Sequence, residues 1–206
     1  MNIIKNNYFS SPIYIFEKLD WLKKLNNLSD KYIKEAYNRP SNYSKDFGTS
    51  INSTELKNDN DFKIFKDFVC NLSFDILNNQ GFLMEDYFMN PLEIWVQEFS
   101  KNGGGHQNIH VHPNAHISGF YFLKCSEKTS YPVFHDSRKL KNMTQLKEKD
   151  INLITEASDK IHIKPKPGMF IFFNSYLEHE FVVDHGIEPF RFIHFNIQAI
   201  SKDIIK

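Results

Sequence analysis

The stretch His110-Val111-His112-Pro113-Asn114-Ala115-His116-Ile117-Ser118-Gly119-Phe120-Tyr121-Phe122-Leu123-Lys124 joins a His-x-His pair to an apolar run through a Pro-Asn turn. The run from Ile117 to Lys124 reads as a buried strand. In a strand, side chains at i and i+2 leave the same face about 6.5 to 7 Å apart, close enough for two imidazoles to meet one ion at roughly 2.1 Å. His110 and His112 therefore form a candidate metal pair, and His179, far downstream, is the strongest third candidate. Imidazole suits iron, zinc, nickel and copper alike, so spacing names a geometry and not a reaction.

Outward from this stretch, period-two segments continue from about residue 90: Leu92 to Phe99, Ile109 to His112, Ile161 to Lys164, Met169 to Phe173, Glu180 to Val183 and Phe190 to Ile197. Turn signals separate them at Gly103-Gly104-Gly105, Pro113-Asn114, Pro167-Gly168 and Asp184-His185-Gly186. Earlier in the chain, Trp21, Leu25, Leu28, Tyr32 and Ala36 recur at helical spacing, with Asp20 as a cap and Pro40 as a stop. Phe65, Phe68, Val69, Leu72, Ile76 and Leu77 mark a second helix that ends near Gly81. Helices first and strands after predict a mainly β, α+β chain: an antiparallel sandwich or jelly roll, cupin-like, carrying an N-terminal helical layer. One domain is expected over residues 1–206, with the helical layer at 1–90, the jelly-roll core at 91–200 and a polar insertion or lid at 137–159.

Composition narrows the function classes. Lysine plus arginine equals aspartate plus glutamate at 25 each, so no global field recruits nucleic acid or an anionic membrane surface. No apolar run approaches the roughly 20 residues of a membrane span, and the first residues lack a secretory segment, so a soluble, cytoplasmic protein is expected. Cys70 and Cys125 lack metal or redox spacing and read as small buried hydrophobes. Aromatic residues make up 15 %, with 20 phenylalanines, which suits a packed sheet core.

Two further features carry chemistry. Pro167-Gly168-Met169-Phe170-Ile171-Phe172-Phe173 is a turn and a buried strand leading to His179, which places that histidine at the sheet mouth. Arg191, twelve residues later, is embedded in the apolar Phe190-Arg191-Phe192-Ile193-His194-Phe195-Asn196. A guanidinium keeps its charge when buried and demands an anion, which the protein itself or a bound acid can supply.

Several segments together resemble the 2-oxoglutarate- and iron(II)-dependent oxygenases of bacteria and phages. They are Ser11-Pro12-Ile13-Tyr14, Ile94-Trp95-Val96, His110-x-His112-Pro113, Ser118-Gly119-Phe120-Tyr121, Phe134-His135-Asp136-Ser137-Arg138, Pro167-Gly168 with Phe172-Phe173, His179, Arg191 and Asn196. The resemblance is dense over residues 92–198. It implies a double-stranded β-helix that holds Fe(II) and 2-oxoglutarate at its open end, with O2 as the oxidant and a small molecule or protein side chain as substrate. Carried over, His110 and His112 are the proximal ligands and His179 the distal one. Arg191 anchors the far carboxylate of 2-oxoglutarate, with Tyr121 and Asn196 assisting. The implied reaction is hydroxylation with release of succinate and CO2.

One departure stands out. The wider superfamily keeps a carboxylate two residues after the first histidine, where this chain has His112. An all-histidine triad would leave the full charge on the metal. Asp136 is the alternative carboxylate and His116 a fourth imidazole, whereas His106, His135, His162, His185 and His194 default to structural or surface roles. Gln107 and Asn108 are candidates to orient an imidazole. Two other readings stay open: a cupin-like enzyme with the same histidines and Zn, Mn, Ni or Fe but no 2-oxoglutarate, and a non-catalytic jelly-roll binding module. An internal carboxylate partner for Arg191 would favour the former.

Overall fold

Two facing antiparallel sheets carry the chain, with two helices laid against the outer side of the larger sheet. This computed structural model describes residues 3–4, 9–39, 50–144 and 146–205. The strands are β1 (Ile13–Glu17), β2 (Ser50–Asn52), β3 (Tyr87–Phe99), β4 (Gln107–His110), β5 (Ile117–Lys124), β6 (Pro132–His135), β7 (Lys160–His162), β8 (Met169–Asn174), β9 (His179–Phe181) and β10 (Phe190–Ser201). The helices are α1 (Leu22–Tyr37) and α2 (Lys63–Asn79). The six-stranded sheet runs β1-β8-β5-β10-β3-β2 and the four-stranded sheet β4-β9-β6-β7.

Alternation along the strands divides the core in two. Ile94, Val96, Tyr121, Phe170, Phe172, Ile193 and Phe195 turn outward and pack under Leu25, Phe65, Val69 and Leu77 of the helices. Phe120, Phe122, Ile171, Phe173, Phe190 and Phe192 turn inward and meet Phe134 and Phe181 of the smaller sheet. Gly119 sits where the outer layer is tightest: a Cβ there would lie 2.3 Å from the Phe195 ring and 2.4 Å from the Ile171 carbonyl oxygen. The Gly103-Gly104-Gly105 segment is a turn, with φ of +80° and +78° at Gly103 and Gly104, a region open to glycine.

The mainly β architecture and both helices agree with the sequence expectation, except that Asp20 does not cap α1: it lies in a 3-10 turn, Leu19–Trp21, that runs straight into the helix, and the capping position is Trp21. Residues 1–90, however, are not a purely helical layer. β1 pairs with β8 and β2 with β3, so both belong to the six-stranded sheet, and β3 already begins at Tyr87. Pro40 lies outside the described residues. The insertion at 137–159 forms no strand; its first part is a 3-10 turn at Lys139–Thr144, and residue 145 is not described. No helix among the described residues is long and apolar enough to cross a membrane.

Candidate metal centre

Three histidines from two segments meet between the sheets. β4 pairs with β9 so that His110 lies opposite His179, and His112 follows on the same side after β4 ends. One ring nitrogen from each of His110, His112 and His179 falls within 4.8 Å of the other two, an arrangement that could hold a metal ion. His112 Nε2 and His179 Nε2 are 3.2 Å apart. Two cis ligands at about 2.1 Å from one ion would be separated by about 3 Å.

The other nitrogens explain why these point inward. His179 Nδ1 lies 2.9 Å from the Leu177 carbonyl oxygen and His110 Nδ1 lies 2.7 Å from that of Asn108. A carbonyl only accepts, so each Nδ1 carries the proton and each Nε2 keeps a free lone pair. This is the usual outer support of a metal-bound imidazole, and it meets the requirements of an ion such as Fe(II). His112 differs: Asn196 Nδ2, which also donates to Glu93 and whose oxygen accepts from Ser118, can only donate to His112 Nδ1 at 3.2 Å, so the His112 proton sits on Nε2 and must move to Nδ1 for Nε2 to ligate.

Burial keeps the imidazoles neutral. It lowers His112 to about 4, helped by the neighbouring His110. It lowers His179 to about 3 despite the opposing hydrogen bond to Leu177. His179 is 0 % exposed and packs against Phe120, Phe134 and Phe173. The histidine expected at the sheet mouth is therefore walled in: it stands on β9, a three-residue strand paired on both edges, with β4 and β6.

The remaining sequence candidates divide by strand parity. On β10, Phe190, Phe192, His194 and Asn196 face inward, whereas Arg191, Ile193, Phe195 and Ile197 face the helices. Arg191 is thus not brought to the three histidines. Its Nε donates to Glu98 at 2.6 Å, and its Nη1 to Ser29 at 2.9 Å and Asp30 at 2.5 Å. Tyr121 also faces outward and donates to the Lys18 carbonyl at 2.8 Å. Both differ from the expected contact with the co-substrate, because residues an odd number of positions from the inward-facing ones cross to the other side of a regular strand. Asn196 does reach the site.

Asp136 is engaged elsewhere. Burial opposes its ionisation, yet hydrogen bonds from Arg138 and Lys141 overcome that and hold the carboxyl well below the usual carboxylate range. His116 accepts from the Ala199 amide, His106 Nδ1 contacts the Gly104 carbonyl, and His135 pairs with Glu180. Gln107 donates to Gln97 and does not touch an imidazole in that bond, whereas Asn108 serves through its backbone oxygen. Burial pushes the Cys70 and Cys125 thiols up to about 11 and about 12, consistent with inert packing residues.

His194 is the member that sequence reasoning missed. It is 1 % exposed, its Nε2 lies 3.3 Å from His112 Nε2, and its ring lies 4.3 Å from that of Trp95. An even separation from Asn196 on the same strand is the signal that could have placed it inside.

Residues 93–196, about half of the chain, match the family model described as "Putative 2OG-Fe(II) oxygenase". No curated protein matches the chain in sequence. Among solved structures, a Pseudomonas putida prolyl-4-hydroxylase is similar with a TM-score of 0.62 at 10 % identity, over 92 % of this chain and 93 % of the other. AviO1 from Streptomyces viridochromogenes Tue57 gives 0.63 at 8 % identity, over 91 % and 90 %. EctD from S. alaskensis, crystallised with 2-oxoglutarate and 5-hydroxyectoine, gives 0.60 at 12 % identity over 92 % and 73 %, and the same protein has been crystallised with bound Fe. At these identities the likeness speaks for the fold, the double-stranded β-helix, which this chain shares.

Proposed function

The chain belongs to the putative 2OG-Fe(II) oxygenase family, and on that premise we propose that it is a 2-oxoglutarate- and Fe(II)-dependent dioxygenase. It hydroxylates a small molecule or a protein side chain and releases succinate and CO2. His110, His112 and His179 hold the iron. The observation that carries the reading is the 3.2 Å approach of His112 Nε2 to His179 Nε2, with Nδ1 of His179 and of His110 tied to carbonyls.

When bound, iron supplies the oxidising chemistry, and the protein supplies position and exclusion of water. Phe120, Phe134 and Phe173 wall His179 on its buried side, which keeps water from the inner face of the site. Three neutral ligands leave the metal its full positive charge, which favours an anionic chelator such as a 2-keto acid. Neutral imidazoles are also ready to ligate near neutral pH without first losing a proton.

A second reading, a cupin-like enzyme that uses the three histidines without 2-oxoglutarate, is favoured by the engagement of Arg191 with Glu98 and Asp30. Succinate release separates the two, because uncoupled turnover of 2-oxoglutarate needs no knowledge of the substrate. Protein loaded anaerobically with Fe(II), then given O2 and 2-oxoglutarate, should form succinate. Absence of both succinate and 2-oxoglutarate binding would favour the cupin-like enzyme.

A further inference from the structure

A 2-keto acid that chelates a metal through its keto and adjoining carboxylate oxygens presents a second problem when it is a diacid. Its far carboxylate must be matched, since an unpaired charge is costly to bury. Arg191 faces the helices and its guanidinium is held there by Glu98, Asp30 and Ser29. The inward positions of β10 are Phe190, Phe192, His194 and Asn196, with no lysine or arginine among them.

Beside the three histidines, however, two polar atoms are sealed from solvent without a hydrogen-bond partner: Trp95 Nε1 and His194 Nδ1. They belong to rings in contact, with centroids 4.3 Å apart, on neighbouring strands where Trp95 pairs with His194. His194 also touches the metal cluster directly, through the 3.3 Å approach of its Nε2 to His112 Nε2. Buried polar groups are nearly always hydrogen-bonded, and an indole N–H can only donate. His194 Nδ1, the ring nitrogen not turned to His112, donates as well when it carries the imidazole proton. Unpartnered ring nitrogens in contact with the metal cluster, one of them an obligate donor, are what a carboxylate lacking a cation requires, because hydrogen bonds to ionised acceptors are the stronger kind.

We propose that Trp95 Nε1–H, together with the N–H of His194, binds the far carboxylate of the metal-chelating keto acid in place of Arg191. The proposal rests on the 2-oxoglutarate reading and gives that co-substrate its second point of attachment. The unpartnered oxygen of Gln107, an acceptor, would repel a carboxylate, which assigns the contact to the ring pair and not to the Gln97–Gln107 bridge.

Calorimetric titration of the anaerobic, Fe(II)-loaded full chain with 2-oxoglutarate and with 2-oxobutyrate tests this. The two acids share the chelating end and differ in the far carboxylate. Wild type should prefer 2-oxoglutarate by about tenfold or more, as expected for hydrogen bonds to a charged group. Trp95→Phe, which keeps the ring and removes the N–H, should abolish most of that preference while leaving Fe(II) affinity and 2-oxobutyrate binding unchanged. Arg191→Lys should retain it. A preference kept in Trp95→Phe, an equal weakening of both acids, or a preference lost in Arg191→Lys overturns the assignment. Wild-type protein that binds both acids equally also overturns it but leaves the oxygenase reading standing. Failure of the loaded wild type to bind 2-oxoglutarate removes both.

Discussion

Arg191 and Asn196 lie on one strand and face opposite sides of it: Asn196 contacts His112 inside the sheets, and Arg191 pairs with Glu98 and Asp30 beneath the helices. Their separation of five positions is odd, and a regular strand turns such residues apart. The arginine is therefore a tie between sheet and helix α1, and its removal is first a matter of stability.

Arg191→Ala should lower stability by about 2 to 4 kcal/mol, because Glu98 is left half-sealed beside an empty position. Asp30 is exposed and contributes little to that loss. Chemical denaturation reads the effect, and a change under about 0.5 kcal/mol would contradict it.

Gly119→Ala tests the outer core. The new methyl would meet both the Phe195 ring and the Ile171 backbone oxygen well inside contact distance. Overpacking of this kind costs roughly 1 to 3 kcal/mol, seen as a lowered melting temperature. An unchanged melting temperature would mean that the layer between sheet and helices is looser than described.

Asn196→Leu should tighten Fe(II) binding by about 10-fold without unfolding the chain, since the amide N–H it removes holds His112 Nδ1 as an acceptor and keeps the proton on the nitrogen that must ligate. Asn196 contacts His112 Nδ1 while tied to Glu93 and Ser118. Metal competition against a chelator measures this, and unaltered affinity would separate Asn196 from the site.

The metal-free protein should lose stability in mild acid. His112 and His179 fall from an ordinary 6.5 to about 4 and about 3 in the folded state. Above pH 6.5 the imidazoles are neutral in both states and impose no penalty. Below it, the unfolded chain takes up protons that the folded chain refuses until its own lowered values are reached. The loss between about pH 6.5 and 4 is up to about 1.4 kcal/mol per pH unit for each histidine. Melting temperatures of metal-free protein from pH 7 to pH 5 should fall, less steeply in His112→Gln; a flat profile would contradict the burial described.

How much of this was legible in the sequence depended on how local the signal was. β5 occupies Ile117–Lys124 as read, because a continuous apolar run between turn signals is visible without any partner. Both helices were visible from their 3.6 spacing. β1, β2 and β6 were not read as strands; what defines them is pairing, β1 with β8, β2 with β3 and β6 with β7 and β9, which forms only on folding. The His110-x-His112 pair was legible because it lies within one turn of chain. The contact of His112 with His194 spans 82 residues and is made by strands brought together only on folding. Arg191 attracted notice for its charge, whereas its parity relative to Asn196 decides where it points.

The central claim is that His110, His112 and His179 form one iron site. Anaerobic Fe(II) titration of wild type beside His179→Ala tests it most directly, with circular dichroism to confirm that both are folded. Wild type should take up one equivalent of iron and the variant should retain none. One equivalent still bound by folded His179→Ala would contradict the account.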